Sequence, residues 1–156
     1  MSSLAVISQG NYALHIADIL EIENLSFPTP WSYESFLEEI RNPVSHLWGI
    51  MEDESLSGYA CFWIFHSEIQ IINIAVHPSK RNRGLAQFLV DNIVKTATFN
   101  GIGALWLEVR ESNHIAKRIY EKFGFREIHR RRHYYRDTRE DAIVMSLMLF
   151  ERRIAI

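Results

Sequence analysis

The stretch Ile71–Leu89, IINIAVHPSKRNRGLAQFL, limits the possible folds of this chain more than any other segment. It reads as a strand that ends before Pro78, then a loop of basic residues with Gly84, then an apolar helix. The first turn of a helix has unpaired N–H groups and the positive end of the helix dipole. A glycine at that point lets the backbone approach a ligand closely. The segment therefore predicts a strand–loop–helix unit that can bind an anion such as a pyrophosphate, although a basic surface loop fits the same residues.

Composition restricts the classes of function. The chain has 156 residues, about the size of one domain, and 47% of them are hydrophobic, which suits a packed core. Its 17 Lys and Arg against 19 Asp and Glu give a net charge of −2, so direct nucleic-acid binding is not expected. Cys61 is the single cysteine, which excludes an intramolecular disulfide and a thiolate metal cage. The N-terminus does not resemble a signal peptide, and no stretch approaches the roughly 18 apolar residues of a membrane span. A cytoplasmic location with no membrane contact is expected.

The apolar pattern predicts an α/β fold without repeats or linkers. Near-continuous apolar character at Ala104–Val109 favours a central strand that is covered on both faces. Asn11 and Ser32 are the expected N-caps of the first two helices, and Ser112 or Asn113 of the last one. Gly124 is expected to end that last helix. The predicted bounds are a helix at Tyr33–Arg41 and strands at Leu4–Ser8, Ser45–Met51, Leu56–Phe65, Glu68–Val76, Ala104–Val109, Phe125–Tyr135 and Ala142–Phe150.

Five sequence blocks resemble one known family. The loop Arg81-Asn-Arg-Gly84-Leu-Ala86 matches the [RQ]-x-x-G-x-[GA] signature of the GNAT superfamily of acyl-CoA-dependent N-acetyltransferases. More narrowly, the chain is similar to the bacterial RimI family of ribosomal-protein-alanine N-acetyltransferases from about Pro28 to Leu149. Ala86 stands where close relatives often carry Gly, which the signature permits. The other four blocks are Pro30-Trp31-Ser32, Asn73-Ile-Ala-Val76, Leu105–Asn113 with Tyr120–Phe125, and Tyr134-Tyr135 with Arg139–Ile143.

The resemblance implies a fold, a co-substrate and a reaction. The implied fold is a single GNAT domain over residues 1–156, with a mixed, mostly antiparallel sheet of about seven strands flanked by about four helices. The implied co-substrate is acetyl-CoA, with no metal. The implied reaction is direct transfer, in a ternary complex, to the N-terminal alanine of a small-subunit ribosomal protein. The implied cofactor contacts are Ile74, Ala75, Val76, Asn82, Arg83, Gly84, Leu85, Ala86, Gln87 and Asn113.

The resemblance also implies two catalytic residues, Glu108 as general base and Tyr120 as general acid. Glu108 lies near the C-terminal end of an otherwise apolar strand, where α/β sheets place ligands. A free α-amine with a pKa of about 7.7–8.0 is partly neutral at cytosolic pH, and a carboxylate can take its proton during attack. Read without the resemblance, Glu108 is a charged residue at a strand edge and Tyr120 a helix residue packed on the core.

Several alternatives remain open at this stage. Trp31, Tyr134 and Tyr135 are expected to line a peptide groove, or else they fill a shell around the core. The acceptor could instead be a small amine or a lysine. In a third hypothesis the chain is an acyl-CoA-binding or RNA-contacting module without catalysis. His129 and His133 have the spacing of a helical metal pair, but they lie in a predicted strand, so no metal site is expected.

Overall fold

A computed structural model describes residues 2–149 of the chain. Within this range, helices and strands follow the predicted order. The strands are β1 (Ser2–Ile7), β2 (Ser45–Glu52), β3 (Ser55–Phe65), β4 (Glu68–Val76), β5 (Ala104–Arg110), β6 (Arg126–Arg131) and β7 (Ala142–Met148). The helices are α1 (Ile16–Ser26), α2 (Tyr33–Arg41), α3 (Leu85–Phe99) and α4 (His114–Lys122), with 3-10 turns at Tyr12–Leu14 and Pro78–Lys80.

The strands form a seven-stranded sheet in the order β1-β2-β3-β4-β5-β7-β6. β1, β2 and β3 pair antiparallel, as do β5, β7 and β6, whereas β4 and β5 are parallel. A parallel neighbour requires a crossover, and α3 supplies it between β4 and β5. The predicted α/β class, with a mixed, mostly antiparallel sheet of seven strands and with four helices, is confirmed.

The described chain divides into two compact units. The first contains residues 2–63 and 73–89, and the second contains residues 64–72 and 90–149. β3, β4 and α3 contribute residues to both units. A single domain over residues 1–156 stays a prediction.

In the first unit, helix α2 has the predicted bounds. Ser32 caps it, because its side-chain oxygen accepts a hydrogen bond from the Ser35 backbone N at 3.1 Å. The apolar face of the helix buries Phe36 completely. Ile19 and Ile22 of α1 and Ile50 and Tyr59 of the sheet are at most 1% exposed and belong to the core of this unit.

The predicted role of Asn11 as the cap of α1 is wrong. A 3-10 turn follows Asn11, α1 starts only at Ile16, and the Asn11 side chain makes no capping hydrogen bond. Its oxygen instead accepts from the Ser8 backbone N at 2.8 Å, and its Nδ2 donates to the Val6 carbonyl at 2.8 Å. Asn11 therefore closes the turn after β1, a use of its side chain that competes with helix capping.

In the second unit, β5 is an internal strand but only one of its faces is fully covered. Leu105, Leu107 and Val109 are buried, whereas Trp106 and Glu108 on the opposite face are partly exposed. The prediction of a strand covered on both faces is therefore wrong. Buried and partly exposed residues alternate along β5, and the sequence looks continuously apolar because Trp106, on the more open face, is itself apolar.

The end of the chain also differs in part from the predicted bounds. β6 ends at Arg131 rather than Tyr135, because His133 takes a left-handed φ of 52° that cannot continue a strand. Asn113, rather than Ser112, caps α4, and Gly124 ends it with a φ of 97°. The Phe125 N–H bonds to the Tyr120 carbonyl at 3.1 Å and the Gly124 N–H to the Glu121 carbonyl at 3.0 Å, as in a Schellman motif. Phe150, the predicted end of the last strand, lies outside the described residues, as do residues 151–156.

Candidate active site

The end of β4 provides the first part of the candidate cofactor site, within the first unit. β4 pairs with β5 from Glu68 to Ile71, and its last residues, including Ile74, Ala75 and Val76, continue past the end of that pairing. Gly58 lies so close to this segment that a Cβ there would stand 2.9 Å from the Ala75 carbonyl oxygen. The Val76 carbonyl accepts a hydrogen bond from Arg81 Nε at 3.0 Å. The segment is thus held firmly before the loop begins.

The loop after β4 presents backbone amides at the start of α3. Asn82 and Gly84 both have left-handed φ values, 63° and 77°, and residues 81–84 are exposed. The first hydrogen bond of α3 joins the Phe88 N–H to the Gly84 carbonyl at 3.0 Å, so the amides of Leu85–Gln87 have no partner inside the helix. No acidic residue stands in the first turn of α3. This geometry suits an anion, since the amides and the helix dipole both favour negative charge.

The Arg83 side chain is already engaged within the protein. Its guanidinium makes two hydrogen bonds to Glu52, Nη2 to Oε2 at 2.6 Å and Nη1 to Oε1 at 3.1 Å. The Ser57 hydroxyl donates to Glu52 at 2.7 Å. That hydrogen bond, reinforced by Arg83, lowers the pKa of Glu52 and keeps it charged. In this arrangement Arg83 can offer its backbone N–H to an anion, while its side chain fixes the loop to the end of β2.

Glu108 occupies the more open face of β5, in the second unit. Its side chain is 17% exposed, and its Oε1 lies 3.4 Å from Arg131 Nη2 of β6. The register places Glu108 opposite Val144 and Arg110 opposite Ala142 of β7, so both side chains project from the same face of the sheet. The carboxylate is therefore partly accessible to solvent and paired with a cation of β6.

Tyr120 belongs to α4 of the same unit. The residue is half-buried, and its ring contacts Phe125 at 5.7 Å between centroids. The surrounding apolar groups raise the pKa of Tyr120 well above its usual value. The phenol is therefore protonated at physiological pH.

Tyr134 and Tyr135 follow β6 and lie against each other, edge to face, at 5.3 Å. Arg131 lies 5.3 Å from the Tyr134 ring centroid, so Tyr134 shares a cation with Glu108. Arg110 lies 3.9 Å from the Tyr135 ring centroid. The structure therefore brings both tyrosines to the face of β5 that carries Glu108.

An ion-pair cluster fixes the segment that follows the two tyrosines. Arg110 makes two hydrogen bonds of 2.9 Å to Asp137 and one of 3.2 Å to Glu140. Glu140 also accepts from the Ser112 backbone N at 3.1 Å, and these contacts, Ser112 foremost, lower the pKa of Glu140 to about 2. The loop between β6 and β7 is thereby tied to the end of β5.

Two of the remaining predicted site residues have structural partners. Trp31, in the first unit, packs its ring 5.3 Å from Phe36 and donates its backbone N–H to Glu23 at 2.8 Å. Asn113, in the second unit, uses its side-chain oxygen to cap α4 through the Ala116 N–H at 3.2 Å. Its amide nitrogen is the part of that side chain suited to another acceptor.

The sequence interpretation missed the partners that hold these residues. Arg110 and Arg131 stand beside the predicted residues, but nothing in the sequence shows which carboxylates they meet. The sequence did indicate that Glu23 is buried and needs hydrogen-bond partners. It follows Ile19 by four residues, so it shares the buried face of α1, where a carboxylate needs hydrogen-bond donors.

The family of the chain follows from sequence comparison. The profile described as "Acetyltransferase (GNAT) family" matches residues 16–125, a range that includes the β4–loop–α3 unit, Glu108 and Tyr120. The chain belongs to this family of acetyltransferases. Enzymes of the family use acetyl-CoA.

Within the family, the chain groups with the bacterial ribosomal-protein-alanine N-acetyltransferases. A protein of Bacillus subtilis (strain 168), provisionally named a [ribosomal protein bS18]-alanine N-acetyltransferase, is 39% identical over 87% of this chain and 91% of its own length. The [ribosomal protein bS18]-alanine N-acetyltransferase of Salmonella typhimurium is 34% identical over 81% of this chain and 86% of its own length. The crystal structure of the ribosomal-protein-S18-alanine N-acetyltransferase from Escherichia coli matches with a TM-score of 0.86 and 29% identity, covering 95% of this chain and 94% of that one.

Among residues 2–149, no group of three or more His, Cys, Asp or Glu side chains is arranged to hold a metal ion. None of the helices in the same range has the length and apolar character that crossing a bilayer requires.

Proposed function

We propose that this chain transfers the acetyl group of acetyl-CoA to the α-amino group of the N-terminal alanine of ribosomal protein bS18. The observation that carries the proposal is the similarity to enzymes named for that substrate, at 34–39% identity over more than four fifths of the chain. The partly accessible carboxylate of Glu108 on β5 gives the chain a group that the reaction needs. The protein is expected to act in the cytoplasm, where its substrate is synthesised.

The chemistry requires one bond to form and one to break. The α-amine nitrogen bonds to the acetyl carbonyl carbon, and the bond from that carbon to the CoA sulfur breaks. Glu108, directly or through a water, takes the proton that the nitrogen loses, and Tyr120 gives a proton to the departing thiolate. A positioned acid or base of this kind contributes about 10²–10⁴-fold in rate. Tyr120 carries its proton at neutral pH, which this role requires.

Direct transfer of the acetyl group from CoA to the amine agrees with the burial of Cys61, the single cysteine of the sequence. Cys61 is buried on β3, and burial raises its pKa to about 12. A protonated, inaccessible thiol is a poor nucleophile, because the thiolate is the reactive form. An acetyl-cysteine intermediate is therefore not part of the proposal.

Acetyl-CoA binding is assigned to the β4–loop–α3 unit. The pantetheine amides are proposed to pair with the backbone of the strand end, and the pyrophosphate with the loop amides and the first turn of α3. The continuation of β4 beyond its pairing with β5, which ends at Ile71, and the positive φ of Gly84 support this assignment. The proposed contacts are Ile74, Ala75, Val76, Asn82, Arg83, Gly84, Leu85, Ala86, Gln87 and, from the second unit, Asn113.

The peptide substrate is assigned to three aromatic residues. Tyr134 and Tyr135 are proposed to contact the N-terminal residues of the peptide, since they lie on the same sheet face as Glu108. Trp31 is proposed to contact the peptide from the loop between α1 and α2. The two prolines before Trp31 prevent this loop from forming a helix or a strand.

The substrate assignment is tested with two peptides and purified protein. One peptide begins with alanine and contains no lysine, while the other has a blocked N-terminus and one internal lysine. Incubation with acetyl-CoA, followed by mass spectrometry, should show one acetyl group on the α-amine of the first peptide only. Preference for the lysine peptide would overturn the assigned acceptor.

The catalytic assignment is tested with Glu108→Gln. Its rate should fall by about 10²-fold or more while the Kd for acetyl-CoA stays within twofold. Glu127→Gln, on strand β6 of the same sheet, is the matched control and should keep wild-type turnover. Unchanged turnover in Glu108→Gln would exclude Glu108 as the base.

A further inference from the structure

A fully buried carboxylate in the first unit has no part in the proposed chemistry. Glu23, on α1, is 1% exposed. Its Oε2 accepts the backbone N–H of Trp31 at 2.8 Å, and its Oε1 accepts from Asn73 Nδ2 at 3.0 Å and from the Tyr59 hydroxyl. Asn73 Nδ2 also donates to the Tyr59 hydroxyl at 2.8 Å. A buried charge is tolerated only when donors surround it, and these three donors come from three different parts of the chain.

These contacts and two aromatic contacts form a closed ring that includes Trp31. The Tyr59 ring meets Phe36 edge to face at 5.6 Å, and Phe36 in turn contacts the Trp31 ring at 5.3 Å. Trp31 is therefore held by its backbone through Glu23 and by its side chain through Phe36. The two preceding prolines have no N–H to donate, so the Trp31 amide is the first available anchor after Pro30.

We infer that Glu23 is a positioning residue that fixes Trp31 in the conformation that binds the peptide substrate. The inference rests on the proposed function, in which Trp31 contacts the peptide. A loop that spends only a fraction of its time in the competent conformation binds with an apparent Kd raised by the inverse of that fraction. Releasing the Trp31 amide should consequently weaken peptide binding without touching the reacting atoms.

The two carboxylate oxygens allow this role to be separated from a purely structural one. In Glu23→Gln, the amide oxygen can keep the donors from Tyr59 and Asn73, which leaves the NH₂ group facing the Trp31 N–H. In the matched control Tyr59→Phe, the Glu23 carboxylate and its bond to Trp31 remain, although both hydrogen bonds of the Tyr59 hydroxyl are lost. Both variants should lose stability, but only the first releases the loop.

The experiment compares steady-state kinetics of the two variants with those of the full wild-type chain. Glu23→Gln should raise the KM for an alanine-terminated peptide about tenfold or more, since a hydrogen bond to a charged group is lost. The KM for acetyl-CoA should stay within twofold, and Tyr59→Phe should leave the peptide KM within twofold. Equal increases in both variants, or an unchanged peptide KM in Glu23→Gln, would overturn the inference.

Amide hydrogen exchange at Trp31 gives a readout that does not depend on turnover. Exchange should be at least tenfold faster in Glu23→Gln than in the wild type and unchanged in Tyr59→Phe. If Glu23→Gln does not fold, Glu23→Asp draws the carboxylate back by one methylene and should show the same pattern. Wild-type protein that acetylates no N-terminal peptide would refute the proposed function, whereas unchanged exchange in the Glu23 variants would refute only the role of Glu23.

Discussion

Replacing Gly84 by alanine tests whether the loop before α3 holds acetyl-CoA. Gly84 has a φ of 77°, and a Cβ at this position would meet no heavy atom within 4 Å. The substitution is thus strained by its backbone conformation alone and not by a clash. For a residue with a Cβ, the left-handed conformation costs about 1–2 kcal/mol.

The cost should appear in cofactor binding rather than in folding. Residues 81–84 are exposed, so the loop of the free protein can relax into a conformation that alanine prefers. Acetyl-CoA must then restore the strained conformation, which predicts a Kd about 5–30-fold higher. Isothermal titration of acetyl-CoA measures this change directly.

Two other glycines serve as matched controls. Gly101 also has a positive φ, 70°, with open space around its Cβ, but it lies in the turn between α3 and β5. Gly101→Ala should lower the midpoint of thermal unfolding by about 2–8 °C and leave the Kd for acetyl-CoA unchanged. Gly103 has open space and no positive φ, so Gly103→Ala should change neither quantity. A wild-type Kd in Gly84→Ala would refute the assignment of this loop to the cofactor.

Three further predictions concern charge and protonation. The value of kcat/KM should rise with pH as the substrate amine loses its proton. It should then stay level to about pH 10, because burial raises the pKa of Tyr120. A decline below about pH 10 in the wild type that is absent in Tyr120→Phe would contradict this prediction. The pKa of Glu140 falls from 4.5 to about 2, so its contribution to stability is present above pH 4.5 and is lost as the pH falls toward 2. Urea titrations should therefore show a weaker acid dependence in Glu140→Gln across that window, and equal slopes would contradict it. If the Arg83 side chain acts only by fixing the loop to Glu52, Arg83→Gln and Glu52→Gln should weaken acetyl-CoA binding to the same extent. A double variant in which the two residues are exchanged should then restore binding. Failed restoration would favour a direct contact of Arg83 with the pyrophosphate.

The sequence predicted elements with local signals well. Tyr33–Arg41 and Glu68–Val76 have the predicted bounds because Ser32 starts the first and a His-Pro pair ends the second. The end of β6 could not be predicted, since it depends on Asp141, which accepts the His133 N–H at 2.9 Å and contacts Arg130 at 3.3 Å. Such contacts between segments leave no local pattern.

In the candidate site, too, local backbone features could be predicted from the sequence, whereas contacts between distant residues could not. Backbone features such as the left-handed Gly84 follow from residue type and could be expected from the motif. The ion pairs from Arg83 to Glu52 and from Arg131 to Glu108 join residues that lie 31 and 23 positions apart, and a single sequence does not reveal them. The side-chain partners of the site therefore required the fold.

Acetylation of full-length bS18 tests the central claim most directly. Purified bS18 with a free N-terminal alanine is incubated with acetyl-CoA and either the wild-type chain or Glu108→Gln, and its N-terminal peptide is sequenced by tandem mass spectrometry. We expect a single acetyl group on the alanine nitrogen, formed at least about 10²-fold more slowly by the variant. An N-terminus left unmodified by the wild-type protein, or an acetyl group found only on lysine side chains, would contradict the account.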